Sequence, residues 1–176
     1  LKQIFLVEPR PGAAGNVGIQ QLSGSGTVQL GTRTLAVLHA ASSFGGVLAG
    51  TGGFTVGGGT QFLSNVNTYT GLTTVDAGGS LALSGNGSVA ASSGVVANGL
   101  FDIASATGGA SIASLSGSGG NSQVNLGART LTLTQAAGDF GGTMTGSGNL
   151  VVAHGTQTLS GNNTYSGTLT LAAAST

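Results

Sequence analysis

Short apolar runs, many alternating with Thr, Ser or Ala, punctuate this chain about every 8–12 residues. They fall at 28–30, 35–37, 47–48, 54–56, 62–63, 73–75, 81–83, 95–96 and 101–103, then at 112–115, 124–126, 131–133, 143–145, 150–152 and 169–171. Thr130-Leu-Thr-Leu-Thr134 shows the pattern most clearly. A period of two sends alternate side chains to opposite sides of an extended segment, so each run predicts a half-buried strand of about 3–5 residues. Gly-Gly, Gly-x-Gly and Asn-Gly separate the runs as turn signals. No window sustains an i, i+3, i+4, i+7 apolar stripe beyond two turns, so essentially no helix is predicted.

The chain also copies itself at long range. Ile19-Gln-Gln-Leu-Ser-Gly-Ser-Gly26 matches Ile112-Ala-Ser-Leu-Ser-Gly-Ser-Gly119, and residues 30–71 then align without gaps on 126–167, with 22 identities in 42 positions. Gly155-Thr-Gln-Thr-Leu-Ser-Gly-Asn-Asn-Thr-Tyr-Ser-Gly167 and its looser copy at 59–71 carry the corner of the motif. In the first copy Asn65-Val66 replaces the Gly161-Asn162 of the second. Even spacing of short strands fits a sandwich, a barrel or a solenoid. The near-identical long period favours the solenoid, because stacking rewards like residues at like places. The prediction is an all-β, parallel β-helix (β-solenoid) of about 7–8 coils, at ~20–25 residues per coil and ~4.8 Å rise. Residues 13–176 form the solenoid, with 19–71 matching 112–167; a single coil is not expected to fold alone.

Composition sharpens this picture. There are 35 glycines in 176 residues, about three times the usual ~7%, yet the regular apolar runs argue against a flexible linker. Charge is confined to Lys2, Glu8, Arg10, Arg33, Asp76, Asp102, Arg129 and Asp139. Four positive and four negative residues leave no basic footprint for nucleic acid or anionic lipid. Cysteine is absent, so disulfides and thiolate metal sites are excluded. No run reaches the ~20 apolar residues of a membrane helix, and no basic-then-apolar leader opens the chain; if the protein is exported, these residues are expected to be internal to it. Residues 1–12 stand apart, holding both prolines, Pro9 and Pro11. They predict a short strand at 4–7 and a Pro-stiffened turn, either capping the first coil or belonging to a neighbouring one.

The strings Leu-Ser-Gly-Asn-Asn-Thr-Tyr-Ser-Gly167, Ile-Ala-Ser-Leu-Ser-Gly-Ser-Gly119, Leu-Gly-Ala-Arg-Thr-Leu-Thr-Leu133, Phe-Gly-Gly-Thr-Met-Thr-Gly-Ser-Gly148 and Leu-Thr-Thr-Val-Asp-Ala-Gly-Gly79 resemble the autotransporter-associated β-strand repeat. The resemblance covers about residues 15–176. It implies a right-handed parallel β-helix, exported and displayed at a bacterial cell surface or outside it, whose folding beyond the outer membrane helps drive passage. It also implies a membrane barrel elsewhere in the full protein. Host-cell or glycan surfaces, or like chains stacked end to end, are the expected partners. A self-assembling extracellular filament is the alternative use.

Right-handed β-helices also include polysaccharide lyases and hydrolases, which need clustered carboxylates, often with calcium or a basic residue. Here Asp76, Asp102 and Asp139 lie 26 and 37 residues apart, and only stacking of adjacent coils could pair Asp76 with Asp102. His39 and His154 stand alone and read as surface residues. No Gly-x-Ser-x-Gly elbow, nucleotide-binding Gly-x-Gly-x-x-Gly or Gly-Gly-x-Gly-x-Asp calcium repeat occurs. Arg33 and Arg129 occupy equivalent places and read as outward, solubilising residues, or as recognition groups for an anionic glycan. Tyr69 and Tyr165 are expected at the corner with the hydroxyl at the rim. Thr-x-Thr pairs at 32/34, 68/70, 130/132/134, 143/145 and 168/170 do not recur once per coil, which disfavours an ice-binding file. No catalytic, cofactor or metal residue is assigned, and no enzymatic activity is expected.

Overall fold

The computed structural model describes residues 16–172, together with the backbone of the strand Gln3–Leu6. Among the described residues there is no helix, and every strand pairing is parallel. The chain winds as a parallel β-solenoid of about eight turns. Parallel ladders arise because each run pairs with the run one turn later, 18–23 residues on: Val17 with Leu35, Leu35 with Phe54, Thr73 with Val95, Leu100 with Gln123.

Three faces repeat in each turn. The first carries Val17–Ile19, Leu35–Val37, residues 54–56 and 73–75, Val95–Ala97, Leu115–Ser116, Asp139–Phe140 and Thr158–Leu159. The second carries Ala40–Phe44, residues 59–63, 79–83 and 100–102, Gln123–Asn125 and Thr143–Thr145. The third begins with Gln3–Leu6, Gly26–Gly31 and Val47–Gly50 and ends with Ala110–Ile112, Leu131–Leu133, Leu150–Val152 and Leu169–Leu171. Gln3–Leu6 pairs in parallel with residues 26–29, one turn ahead. The predicted Pro-stiffened turn of the first dozen residues lies outside the described residues.

Two strands are much longer than the expected 3–5 residues. Phe54–Leu63 and Thr73–Gly85 have 10 and 13 residues because each continues around the corner from the first face to the second. They pair with each other on both sides of that corner, with a register shift between Val56 and Gly58. Glycine lets the backbone turn there without leaving the ladder: Gly59 has φ +70°, and its equivalent Gly155 has φ +89°. At another corner glycine is required by close approach. A Cβ on Gly52 or on its equivalent Gly148 would lie inside the carbonyl of Arg33 or Arg129 one turn below. High glycine content is thus a packing requirement of stacked corners, not a mark of flexibility.

The long sequence repeat and the turn of the solenoid are out of phase. From Leu35 on the first face, four turns pass through Phe54, Thr73 and Val95 to Leu115. The chain then crosses the second face at Gln123–Asn125 and reaches Leu131 on the third. The repeat step, 131 − 35 = 96 residues, is therefore four turns and two-thirds of a fifth. Equivalent strands keep their local structure and change face: Leu35–Val37 is on the first, Leu131–Leu133 on the third. The interior is one continuous apolar column filled by both copies, with Leu35, Phe54, Leu63, Phe101, Leu131 and Phe140 all buried.

Candidate functional site

The three carboxylates do not converge. Asp76 is exposed where the first face turns toward the second. Gly99 stacks over the Asp76 backbone, and Asp102 lies three residues further on, a distance of about 10 Å at ~3.3 Å per residue. Asp102 Oδ1 accepts hydrogen bonds from the Ala104 amide at 2.9 Å and from Asn125 Nδ2 at 3.2 Å. Asp139 is exposed and accepts from Ser160 Oγ at 2.9 Å. Asp102 and Asp139 thus bind their own neighbours. Among the described residues no group of three or more His, Cys, Asp or Glu side chains could hold a metal ion. His39 is exposed, with Nδ1 2.7 Å from Gln20 Oε1 on the preceding turn; His154 is exposed at a corner.

Arg129 is half-buried, not a freely solvated residue. Its Nε donates to the Ala104 carbonyl at 3.4 Å and its Nη1 to that of Thr107 at 3.2 Å, both on the preceding turn. Asn125 joins this set, donating to Asp102 and accepting from the Gly127 amide at 3.0 Å. Arg129, Asp102 and Asn125 together pin the turn that leaves the strand Leu100–Ala106.

Tyr69 departs from expectation. Its ring lies in the core, fully buried, with its centroid 6.1 Å from that of Phe54. The hydroxyl is inside as well, 2.6 Å from Thr73 Oγ1. Thr73 spends its own proton on Ser92 Oγ at 2.9 Å, and Ser92 donates to the Gly94 carbonyl at 2.7 Å. Tyr69 is therefore the donor that heads a buried relay ending on a backbone carbonyl. Rim placement would have removed the donor to Thr73 Oγ1, while Thr73 kept its bond to Ser92 and Ser92 its bonds to Gly94. Burial pushes the Tyr69 phenol well above its usual range, partly offset by the Thr73 contact. Tyr165, the equivalent in the second copy, is half-buried against the core.

Sequence reasoning passed over Gln61. It is fully buried, and its Nε2 lies 3.1 Å from the Leu22 carbonyl and 3.0 Å from those of Ser42 and Phe62. One amide thereby clamps three successive turns. Its equivalent Gln157 repeats the clamp on the carbonyls of Leu115, Gly138 and Thr158, each at 3.0 Å. The Oε1 atoms of both are buried without a partner. The repeated Gly-Thr-Gln of the two copies was the available signal. Asn67 and Asn163 are a second matched pair, accepting from the amides of Leu48 at 2.9 Å and Met144 at 3.0 Å.

One concavity on the flank of the described residues is an open groove of about 550 Å³. Val66, Asn86, Ser88, Ser111, Thr130 and Thr132 supply its side chains, and glycine backbone at 85, 87, 108 and 109 completes it. Gly85, one of its lining residues, is held in the ladder by pairing with Ala106. The threonine pairs do not align into one file: Thr132 has Ser111 below it and Val151 above.

These features define a class of protein, a parallel β-solenoid built from a long sequence repeat, whose three carboxylates do not come together among the described residues. No protein-family model matches the chain, and no solved structure matches it at a significant level. The chain is 40% identical over 158 residues, 82% of its length, to the Adhesin BmaC autotransporter of Brucella suis biovar 1 (strain 1330). That relative and the observed fold together match the autotransporter passenger β-helix that the repeat motifs resemble. The chain spans about 4% of the relative's length.

Proposed function

We propose that this chain is a structural and display segment of a bacterial surface adhesin, exported unfolded and then folded turn by turn outside the cell. The parallel ladders carry this reading: the strands of each turn take their backbone pairing from the turns on either side. A chain of this kind, free of disulfides, gains stability as each emerging turn docks, which opposes backsliding. The relative's name adds adhesion as the use, and a cell-surface or extracellular location follows from it. A membrane barrel elsewhere in the full protein completes the export route in this reading. The test is to place the chain ahead of an autotransporter barrel and compare surface yield with that of Gly52→Val, which blocks corner stacking. A severalfold loss of surface protein is expected; equal yields would remove the folding-assisted export step.

A further inference from the structure

The two copies of the long repeat share their corner chemistry but differ at one solvent-facing position. Val66 is 52% exposed, more than any other large apolar side chain among the described residues. The second copy places Asn162 at the equivalent position, so the local fold accepts a polar residue there and does not need the valine. Val66 lines the 550 Å³ groove, whose other wall comes from 85–88 and 108–111. A repeat-breaking apolar residue therefore faces into this groove.

We propose that this groove binds a neutral oligosaccharide. No ionisable side chain lines it. The nearby Arg129 and Asp102 are engaged with the carbonyls of Ala104 and Thr107 and with the donors of Ala104 and Asn125. An anionic ligand would be desolvated there without a counter-charge. What the groove offers is a row of hydroxyl and amide groups on Asn86, Ser111, Thr130 and Thr132, whose side chains make no hydrogen bond within the described chain. Such groups exchange hydrogen bonds with sugar hydroxyls in both directions. Val66 supplies an apolar platform for the C–H face of a pyranose ring, and the volume is in the range of small-ligand sites, ~300–1,000 Å³. Ladder pairing of Gly85 with Ala106 and the Arg129 strap on the Thr107 carbonyl hold the backbone beside the groove before ligand arrives. The inference deepens the adhesion reading and rests on it for access to a glycan-bearing surface.

The test uses the full chain on a printed panel of neutral hexose and N-acetylhexosamine oligosaccharides with a sialylated set beside it. Val66→Asn, Thr132→Val and the matched control Asn162→Val accompany the parent protein, and folding of each is checked by far-UV circular dichroism and melting. The parent is expected to bind at least one neutral structure, and Val66→Asn and Thr132→Val to weaken that binding tenfold or more with melting unchanged. Asn162→Val should bind like the parent. Absence of neutral-glycan binding, a preference for the sialylated set, or parental affinity in Val66→Asn would overturn the proposal. Beads coated with the same proteins are scored for cell attachment in parallel. Attachment by the parent with an empty panel sinks the groove and leaves adhesion standing; panel binding without attachment does the reverse.

Discussion

Replacing Gln61 by Glu tests the three-turn clamp with almost no change of shape. The native amide sits within 3.0–3.1 Å of three carbonyl oxygens and is fully buried. A carboxylate there loses the donor and faces the three oxygens as a charge out of water. Full burial raises a carboxyl pKa by up to ~3–5 units, and at ~1.36 kcal/mol per unit the ionised form costs about 4–7 kcal/mol. Keeping the carboxyl neutral at pH 7 costs about 4 kcal/mol, from the ~2.7 units above ~4.3, and this caps the penalty there. Below the unfolded-state value of ~4.3 the carboxyl is protonated in both states and can donate to one carbonyl, so only about 1–2 kcal/mol of the lost hydrogen bonding remains. The sign follows: a raised folded-state pKa means stability present at acid pH and lost as pH rises. Urea unfolding of Gln61→Glu and parent at pH 4 and pH 7 should show a difference that widens by several kcal/mol at the higher pH. Gln61→Met, which removes the donor and the orphaned Oε1 together, should show a small gap that does not change with pH. Gln157→Glu, at a half-buried position, should fall between them. A pH-independent deficit in Gln61→Glu would refute the buried clamp.

Gly148→Ala forces a Cβ into the Arg129 carbonyl, and with neighbouring turns fixed by their ladders it should cost about 3 kcal/mol or more. Gly108→Ala meets nothing within 4 Å and should stay within about 0.5 kcal/mol of the parent; limited proteolysis and urea unfolding compare them. The buried Tyr69 phenol contributes stability that is complete below its unfolded value of ~10 and drains away as pH climbs from there toward the raised folded value. Melting between pH 9 and 11.5 should show this loss, and Tyr69→Phe should flatten it while costing about 1 kcal/mol at neutral pH. Arg129→Ala should speed amide exchange at residues 104–109 with little effect on global melting, because the strap holds one turn; uniform exchange across the rod would contradict that assignment. Cysteines at Ser64 and Ser160, equivalent in the repeat, should carry spin labels on different faces, and labels facing the same side would refute the two-thirds phase.

What the residues determined alone is local. Alternation at residues 54–56 or Leu131–Leu133 fixes an extended segment with one apolar side, because side-chain direction in a strand depends only on position. Self-similarity across 96 residues likewise ensured that both copies bend alike at Gly59 and Gly155. Several things had to wait for the assembled coil. The apolar run at 62–63 names two candidates for the interior, but only one parity is possible; Leu63 and Gln61 go in and Phe62 stays 42% exposed, since three stacked carbonyls exist to receive the amide. Asp102 and Arg129 looked like isolated surface charges, and only the turn left by Leu100–Ala106 gave them partners. The face on which each copy sits was equally hidden. It depends on the summed length of every intervening turn, 18–23 residues each, and no single strand records that sum.

The physical reason is that a strand's own sequence specifies inside versus outside, whereas its neighbours one turn away specify which inside and which outside. Glycine content, strand period and repeat were decided by covalent order; the clamp, the buried tyrosine relay and the flanking groove came into being only when turns distant in sequence were laid upon one another.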